Sequence, residues 1–346
     1  MATQFFIAAM DGALGASVGA TLDALSVASG GAAALGLASP SWRVVGMSNE
    51  VRLSNGMRLA AQPIDAARIP ASSVIVFPGI GLDHPGLGSG GDIHGRYDER
   101  KILCRMGMPD AEAFARLAQR HHARGGKVAA SCSGVLLPAM AGLLQGRAAT
   151  THWRLSGFFH KHFPQIRLDT KRMVVESYGI VSAGAAMAQM DLMLYLIRHQ
   201  IGRELADLVM SYLLIDTRTT QARYQVWEHL DVPDDETARS FEAIIEASLP
   251  GILSVRQAAR QLHMTEKTLA RRLFKASGVT PMTLIHSVRM RHARRLLELG
   301  ELTLDEVAQR VGYANATSLR KLTMRMAQVA PAAFRPSAAG TTRSRV

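Results

Sequence analysis

Between Leu253 and Pro281 the chain reads LSVRQAARQLHMTEKTLARRLFKASGVTP. Val255, Ala258, Ala259 and Leu262 recur at helical spacing and make one apolar stripe. His263 and Met264 interrupt it. Thr265, with Glu266 directly after it, predicts the N-cap and first turn of a second helix. On that helix Leu269, Leu273 and Phe274 are expected to face inward, which leaves Lys267, Thr268, Arg271 and Arg272 pointing outward. Cationic and hydroxyl side chains on the outer face of the second of two short helices suit phosphates and base edges in a DNA major groove.

The same layout returns downstream in LTLDEVAQRVGYANATSLRKLTMRM, from Leu302 to Met326. Val307, Ala308 and Val311 predict a packed first helix, Gly312 and Tyr313 the turn, and the second helix carries Asn315, Thr317, Arg320 and Lys321. Met324 and Met326 are expected in the core. A long helix, Met282–Glu298, joins the two pairs and bears Arg289, Arg291, Arg294 and Arg295. Two such pairs on one connector suit successive major grooves, one helical turn apart. No repeat of fixed period accompanies these two similar pairs.

Charge sharpens the picture. The 346 residues carry a formal net charge of +12. Residues 1–249 hold 23 Lys and Arg against 23 Asp and Glu, and residues 250–346 hold 17 against 5, so the whole excess lies in the last segment. A neutral domain joined to a basic one is the pattern of a sensor or enzyme attached to a nucleic-acid binder. The composition, 48% hydrophobic and 20% charged, is that of a folded protein. Cys104 and Cys132 are too few for a disulfide framework, and no CxxC or HExxH spacing offers a metal site, so no metal or other cofactor is expected. The start, MATQFFIAAMDGALGASVG, has no basic leader and is interrupted by Asp11, and no uninterrupted run of 18 apolar residues appears. A reducing cytoplasm and no membrane partner are the expectation.

The first 200 residues alternate short apolar runs with longer helical patterns. Phe5–Ala9, Arg43–Met47, Ser73–Phe77, Lys127–Ser131 and Met173–Glu176 predict strands; Ser17–Ser29, Asp110–Ala123, Gly134–Leu144, Ala185–Gln200 and Arg203–Leu214 predict helices. This is the order of an α/β sandwich with a largely parallel sheet, whose ligands sit beyond the carboxyl ends of the strands. Polar residues gather from Asp216, giving an expected domain over residues 1–215, a linker over 216–237, a helical domain over 238–336 and a disordered tail over 337–346. Loop Gly81–Asp98 is rich in glycine and histidine. The segment GGKVAASCSGVLLPAMAGLLQGRAATTHW, from Gly125 to Trp153, reads as strand, sharp turn and helix with Cys132 at the turn. A thiolate there would be favoured by the helix dipole. His152 is expected to face the same crevice, whereas His121 and His122 are expected on the surface.

The run from about Ala238 to Pro336 resembles the AraC-type DNA-binding domain. The resemblance is carried by Leu269, Arg271-Arg272-Leu273, Gly278-Val279-Thr280-Pro281, Arg289, Ala293-Arg294, Leu296-Leu297, Val307-Ala308, Val311-Gly312-Tyr313 and Phe334-Arg335. The second pair departs from the pattern, with Leu319, Thr323 and Ala327 where the family has phenylalanines and Gln328 where it has glycine. The first recognition helix is therefore expected to dominate base reading. The N-terminal half resembles the PfpI-like branch of the glutamine-amidotransferase-like superfamily, a flavodoxin-like sandwich, through Phe77-Pro78-Gly79, the Cys132-Ser133-Gly134 elbow, Ala141-Gly142-Leu143-Leu144, Gly146-Arg147, Ala149-Thr150-Thr151-His152-Trp153, Phe163-Pro164, Ser182-Ala183-Gly184 and Asp191-Leu192. The pairing of the two domains resembles GlxA-type regulators.

This resemblance implies promoter DNA, a small-molecule effector, a second copy of the chain and RNA polymerase as partners. The DNA-facing residues would be Thr265, Lys267, Thr268, Arg271, Arg272, Asn315, Thr317, Arg320 and Lys321, and the effector site Cys132, Ser133 and His152. Superfamily enzymes place an acid near the end of the first strand. Residues Gly12–Ser17 hold none, and Asp11 lies early. Cys132 is thus open to three readings: a small residue required by a tight turn, a pocket wall, or a nucleophile. No catalytic residue is assigned, and the rival functions are a cysteine-dependent amidase or hydrolase with a DNA tether and a structural nucleoid protein.

Overall fold

The computed structural model describes residues 2–65, 67–82, 98–216, 218, 220–221, 235–277, 279–327 and 329–335. Most of loop Gly81–Asp98, the middle of the expected linker, Gly278, Gln328 and the expected tail lie outside the described residues. The chain packs into two compact units, residues 1–221 and 222–346.

The first unit is an α/β sandwich. In chain order it comprises β1 (Gln4–Ala8), α1 (Gly15–Ala32), β2 (Ser41–Gly46), β3 (Glu50–Arg52), β4 (Arg58–Ala60), β5 (Gln62–Pro63), β6 (Val74–Phe77), α2 (Glu99–Met106), α3 (Pro109–Ala123), β7 (Lys127–Ser131), α4 (Leu136–Met140), β8 (Ala148–Ala149), α5 (Ser156–His162), β9 (Arg167–Leu168), β10 (Val174–Ser177), β11 (Ile180–Ala183), α6 (Ala188–Gln200) and α7 (Arg203–Tyr212). The sheet runs β10-β11-β7-β6-β1-β2-β5, parallel throughout except at the β10–β11 edge. The apolar strands alternate between two buried faces: Phe6, Ala8, Ile75, Phe77, Val128 and Ala130 join the core under α3 and α4, and Phe5, Ile7, Val74, Val76 and Ala129 join the core under α1 and α6. Burial on both faces is why these strands read as continuous apolar runs.

Helix α1 with its following turn is long and apolar enough by composition to cross a membrane. Here its face of Ala24, Leu25 and Ala28 packs into the core shared with α6 and α7. His121, expected on the surface, is fully buried, with its Nε2 3.1 Å from Ser73 O. Arg218, Thr220 and Gln221, inside the expected linker, are bonded into this unit. Arg218 pairs with the buried Asp191 at 2.5 Å, and Gln221 is 2% exposed.

The second unit is helical: α8 (Glu236–Ser248), α9 (Val255–Gln261), α10 (Glu266–Ser277), α11 (Pro281–Leu299), α12 (Leu304–Arg310) and α13 (Ala316–Ala327). It has two cores. Phe241, Ile245, Ala258, Ala259, Leu269, Leu273, Leu284, Ile285 and Val288 form the first, and Met290, Ala293, Leu297, Val307, Ala308, Val311, Leu319, Leu322 and Met326 the second. One helix, α11, serves both. Thr280 caps it, Pro281 opens it, and Gly300 at φ 74° closes it in the left-handed conformation that glycine adopts freely.

Candidate functional site

The two helix pairs repeat one another bond for bond. Helices α9 and α12 each start with a capping box, Ser254 with Gln257 and Thr303 with Glu306. Each ends on a residue of positive φ, His263 and Gly312, followed by a backbone bond five residues back: Met264 N to Ala259 O at 2.9 Å and Tyr313 N to Ala308 O at 2.8 Å. Thr265 and Asn315 then cap α10 and α13 by accepting from Thr268 N (3.1 Å) and Ser318 N (3.0 Å). Beyond these caps Lys267, Arg271 and Arg272 on α10, and Thr317, Arg320 and Lys321 on α13, are exposed, while Thr268 is half-buried against the Thr265 hydroxyl at 2.9 Å. The 19 residues of α11 span about 28 Å at the helical rise per residue. That is close to one turn of DNA.

Two expectations fail here. Phe274 and Met324 are 61% and 52% exposed rather than packed inward, because Leu269 with Leu273 and Leu322 with Met326 already complete the apolar stripes. Three of the four arginines noted on α11 are engaged within the unit. Arg289 is buried, donating to Gly251 O (3.2 Å) and Gly312 O (3.4 Å) with its guanidinium over the Tyr313 ring. It thereby ties the loop before the first pair to the turn of the second. Arg291 pairs with Glu242 of α8, and Arg294 with Glu298 at 2.6 Å. In the second pair, Leu319, Thr323 and Ala327 are fully buried.

In the first unit, Cys132 follows β7 at φ 51°, a left-handed backbone that strains a residue with a Cβ. Its N–H donates to Gly184 O and its carbonyl accepts from the Thr151 hydroxyl, both at 2.7 Å. Gly134 is obligatory, since a Cβ there would overlap the Phe77 and Pro78 carbonyl oxygens. A Cβ on Gly79 would sit 3.5 Å from the Cys132 Cβ and 3.7 Å from that of Leu14, so a leucine borders the elbow from the Gly12–Ser17 stretch. Asp11 instead accepts from Arg52 N at 2.9 Å.

The electrostatics correct the expectation of a favoured thiolate. Burial pushes the Cys132 thiol up to about 11, opposed by the Ser133 backbone N–H and by the charge of Arg154. The helix that follows, α4, has only five residues and offers little dipole. Ser133 is buried and its hydroxyl donates to Ile80 O at 2.7 Å. His152 Nδ1 accepts from Arg154 N at 3.1 Å, which places the proton of the neutral ring on Nε2. Burial, helped by Arg154, lowers this imidazole to about 4. The Thr151 hydroxyl bond ties the 150–154 segment to the Cys132 elbow. Arg154 and Gln221 were not singled out in the sequence, and Thr151 was named there only within the Ala149–Trp153 stretch. Arg154 had a local signal, a cation two residues after His152, whereas Gln221 had none.

A family model described as a helix-turn-helix domain matches residues 258–337. Among curated proteins the chain is 26% identical over 200 residues to the HTH-type transcriptional regulator GbdR of Pseudomonas aeruginosa, covering 57% of this chain and 54% of that one. It is 25% identical over 241 residues to the HTH-type transcriptional regulator GlxA of Rhizobium meliloti, covering 68% of this chain and 74% of that one. The match thus spans about half the length of GbdR. Among solved structures, DJ-1beta of Drosophila melanogaster aligns over 62% of this chain and 100% of its own, at 15% identity and TM-score 0.46. With its duplicated helix pairs after a mostly parallel α/β sandwich, the chain carries a helix-turn-helix domain over residues 258–337 and is similar along its length to HTH-type transcriptional regulators such as GlxA.

Proposed function

We propose that the protein is a cytoplasmic transcription regulator that reads promoter DNA with α10 and α13 and is controlled by a small polar metabolite held at the Cys132 elbow. The observation that carries the reading is the duplicated, identically capped helix pair, each with an exposed cationic second helix on its own core. Lys267, Thr268, Arg271 and Arg272, with Thr317, Arg320 and Lys321, make the contacts, and Thr265 and Asn315 set the N-terminal ends of their helices. A dimer on repeated half-sites, with contacts to RNA polymerase, completes the reading.

The α/β domain acts in this reading as a sensor. A cysteine nucleophile needs an accessible thiolate and a base. Cys132 has a buried thiol, Leu14 rather than an acid borders it from the Gly12–Ser17 stretch, and His152 spends its Nδ1 lone pair on Arg154 N–H. Purified protein assayed for amidase, peptidase and hydratase turnover is expected to be inert. Turnover lost in Cys132→Ser would establish the rival enzyme reading. The regulator reading is tested by selecting duplexes from a random pool with the full chain. Recovery of a shared motif with two half-sites supports it, and recovery of unrelated sequences overturns it.

A further inference from the structure

Gln221 is the last residue of the first unit, and Ala222 opens the second. It lies 2% exposed, with its side-chain amide fully engaged. Nε2 donates to Thr151 O at 3.0 Å, Thr150 Oγ1 at 3.2 Å and Arg172 O at 3.3 Å, and Oε1 accepts from Ala185 N at 3.1 Å. Its backbone N–H donates to Lys171 O at 2.9 Å. A Cβ on Gly184 would overlap this amide, so the glycine is shaped to admit it.

The two segments that Gln221 joins are the two that hold Cys132. Thr151 donates its hydroxyl to the Cys132 carbonyl, and Gly184 accepts the Cys132 N–H, both at 2.7 Å. One side chain therefore stitches both walls of the elbow together from the point where the chain leaves for the DNA-binding unit. Two of its partners, Thr151 and Ala185, lie in the segments bonded to Cys132, so a movement of either segment bears directly on the Gln221 bonds. A buried amide left with unmet bonds is costly, so it follows its partners or releases them as a set.

We infer that Gln221 is the coupling residue of this protein: occupancy of the crevice is read as a change in the Gln221 bonds, and so in how the DNA-binding unit is tethered. The inference rests on the regulator reading and assigns its transmission step to one side chain.

Linkage gives a test that needs no knowledge of the metabolite, because coupling between two sites is reciprocal. The probe is a DNA duplex selected by the full chain, and the readout is the rate at which iodoacetamide alkylates Cys132, followed by mass spectrometry of its peptide with exposed Cys104 as internal control. Saturating DNA is expected to change the Cys132 rate by about fivefold or more, the lower end of usual coupling. Gln221→Leu, which keeps bulk and loses every side-chain bond, should still bind DNA but show the same Cys132 rate with and without it. Gln221→Glu, of equal size without the donating NH2, is the second variant should the leucine disturb folding.

A wild-type rate indifferent to bound DNA overturns the inference, as does a DNA response that persists in either variant. Failure of the wild type to bind DNA at all falls on the regulator reading instead.

Discussion

Arg271 and Arg291 carry the same charge on neighbouring helices of one unit, yet their substitutions should have opposite signatures in DNA binding. Arg271 is exposed on α10, whereas the Arg291 side chain is 15% exposed and paired with Glu242. The exposed cations of the two recognition helices singled out for contact are Lys267, Arg271, Arg272, Arg320 and Lys321. If they meet phosphates, log K should fall with log salt at a slope of about −4 to −5, since each neutralised phosphate contributes roughly −0.9. Between about 50 and 200 mM salt this is a loss of about 500-fold. Arg271→Ala should flatten the slope by about 1 if the side chain meets a phosphate, and leave it unchanged while relaxing sequence preference if it meets a base. Arg291→Gln should lower thermal stability and leave both slope and preference alone. Fluorescence anisotropy of a labelled duplex across a salt series measures this directly. A slope near zero, or an Arg291→Gln effect as large as that of Arg271→Ala, would refute the placement of the charges.

Three further outcomes are expected. Arg271→Ala should weaken binding to a selected operator by about 1–3 kcal/mol, and more than Arg320→Ala does, because α13 is held on its core by the small side chains of Thr323 and Ala327; competition binding measures both, and equal losses would mark two equivalent helices. His152 is held down to about 4, below its ordinary 6.5, chiefly by burial. The unfolded chain therefore takes up the proton first, so this contribution to stability is intact above about pH 6.5 and is lost as the pH falls toward 4. Denaturation of His152→Asn across this window should show a shallower acid dependence than the wild type, and parallel curves would contradict the assignment. Gly134→Ala should cost about 1–3 kcal/mol by forcing a Cβ onto two carbonyl oxygens, seen as a lower Tm; an unchanged Tm would show that the elbow has slack.

Where periodicity and capping govern, the sequence was legible. The α9 and α10 pair, its break at His263 and the Thr265 cap came from local signals, and Lys127–Ser131 was read at its exact bounds. Longer-range effects were not legible. Phe274 has the hydrophobicity of a core residue, but Leu269 and Leu273 fill the stripe before it can turn inward. The partners of the α11 arginines were hidden too, because a net charge is blind to them: Arg289 and Arg291 are spent on carbonyls and Glu242. Cys132 sat at a recognisable turn, but its protonation depends on burial, which no local pattern encodes. Gln221 lay in a polar stretch read as linker, because its four partners come from segments 36 to 71 residues away.

The most direct test of the account is genome-wide occupancy of the full chain in cells, compared with the Arg271→Ala, Arg320→Ala double variant. The account predicts discrete peaks upstream of genes that share a two-part motif and vanish in the double variant. Even coverage of the chromosome, or peaks that survive in the variant, would contradict it.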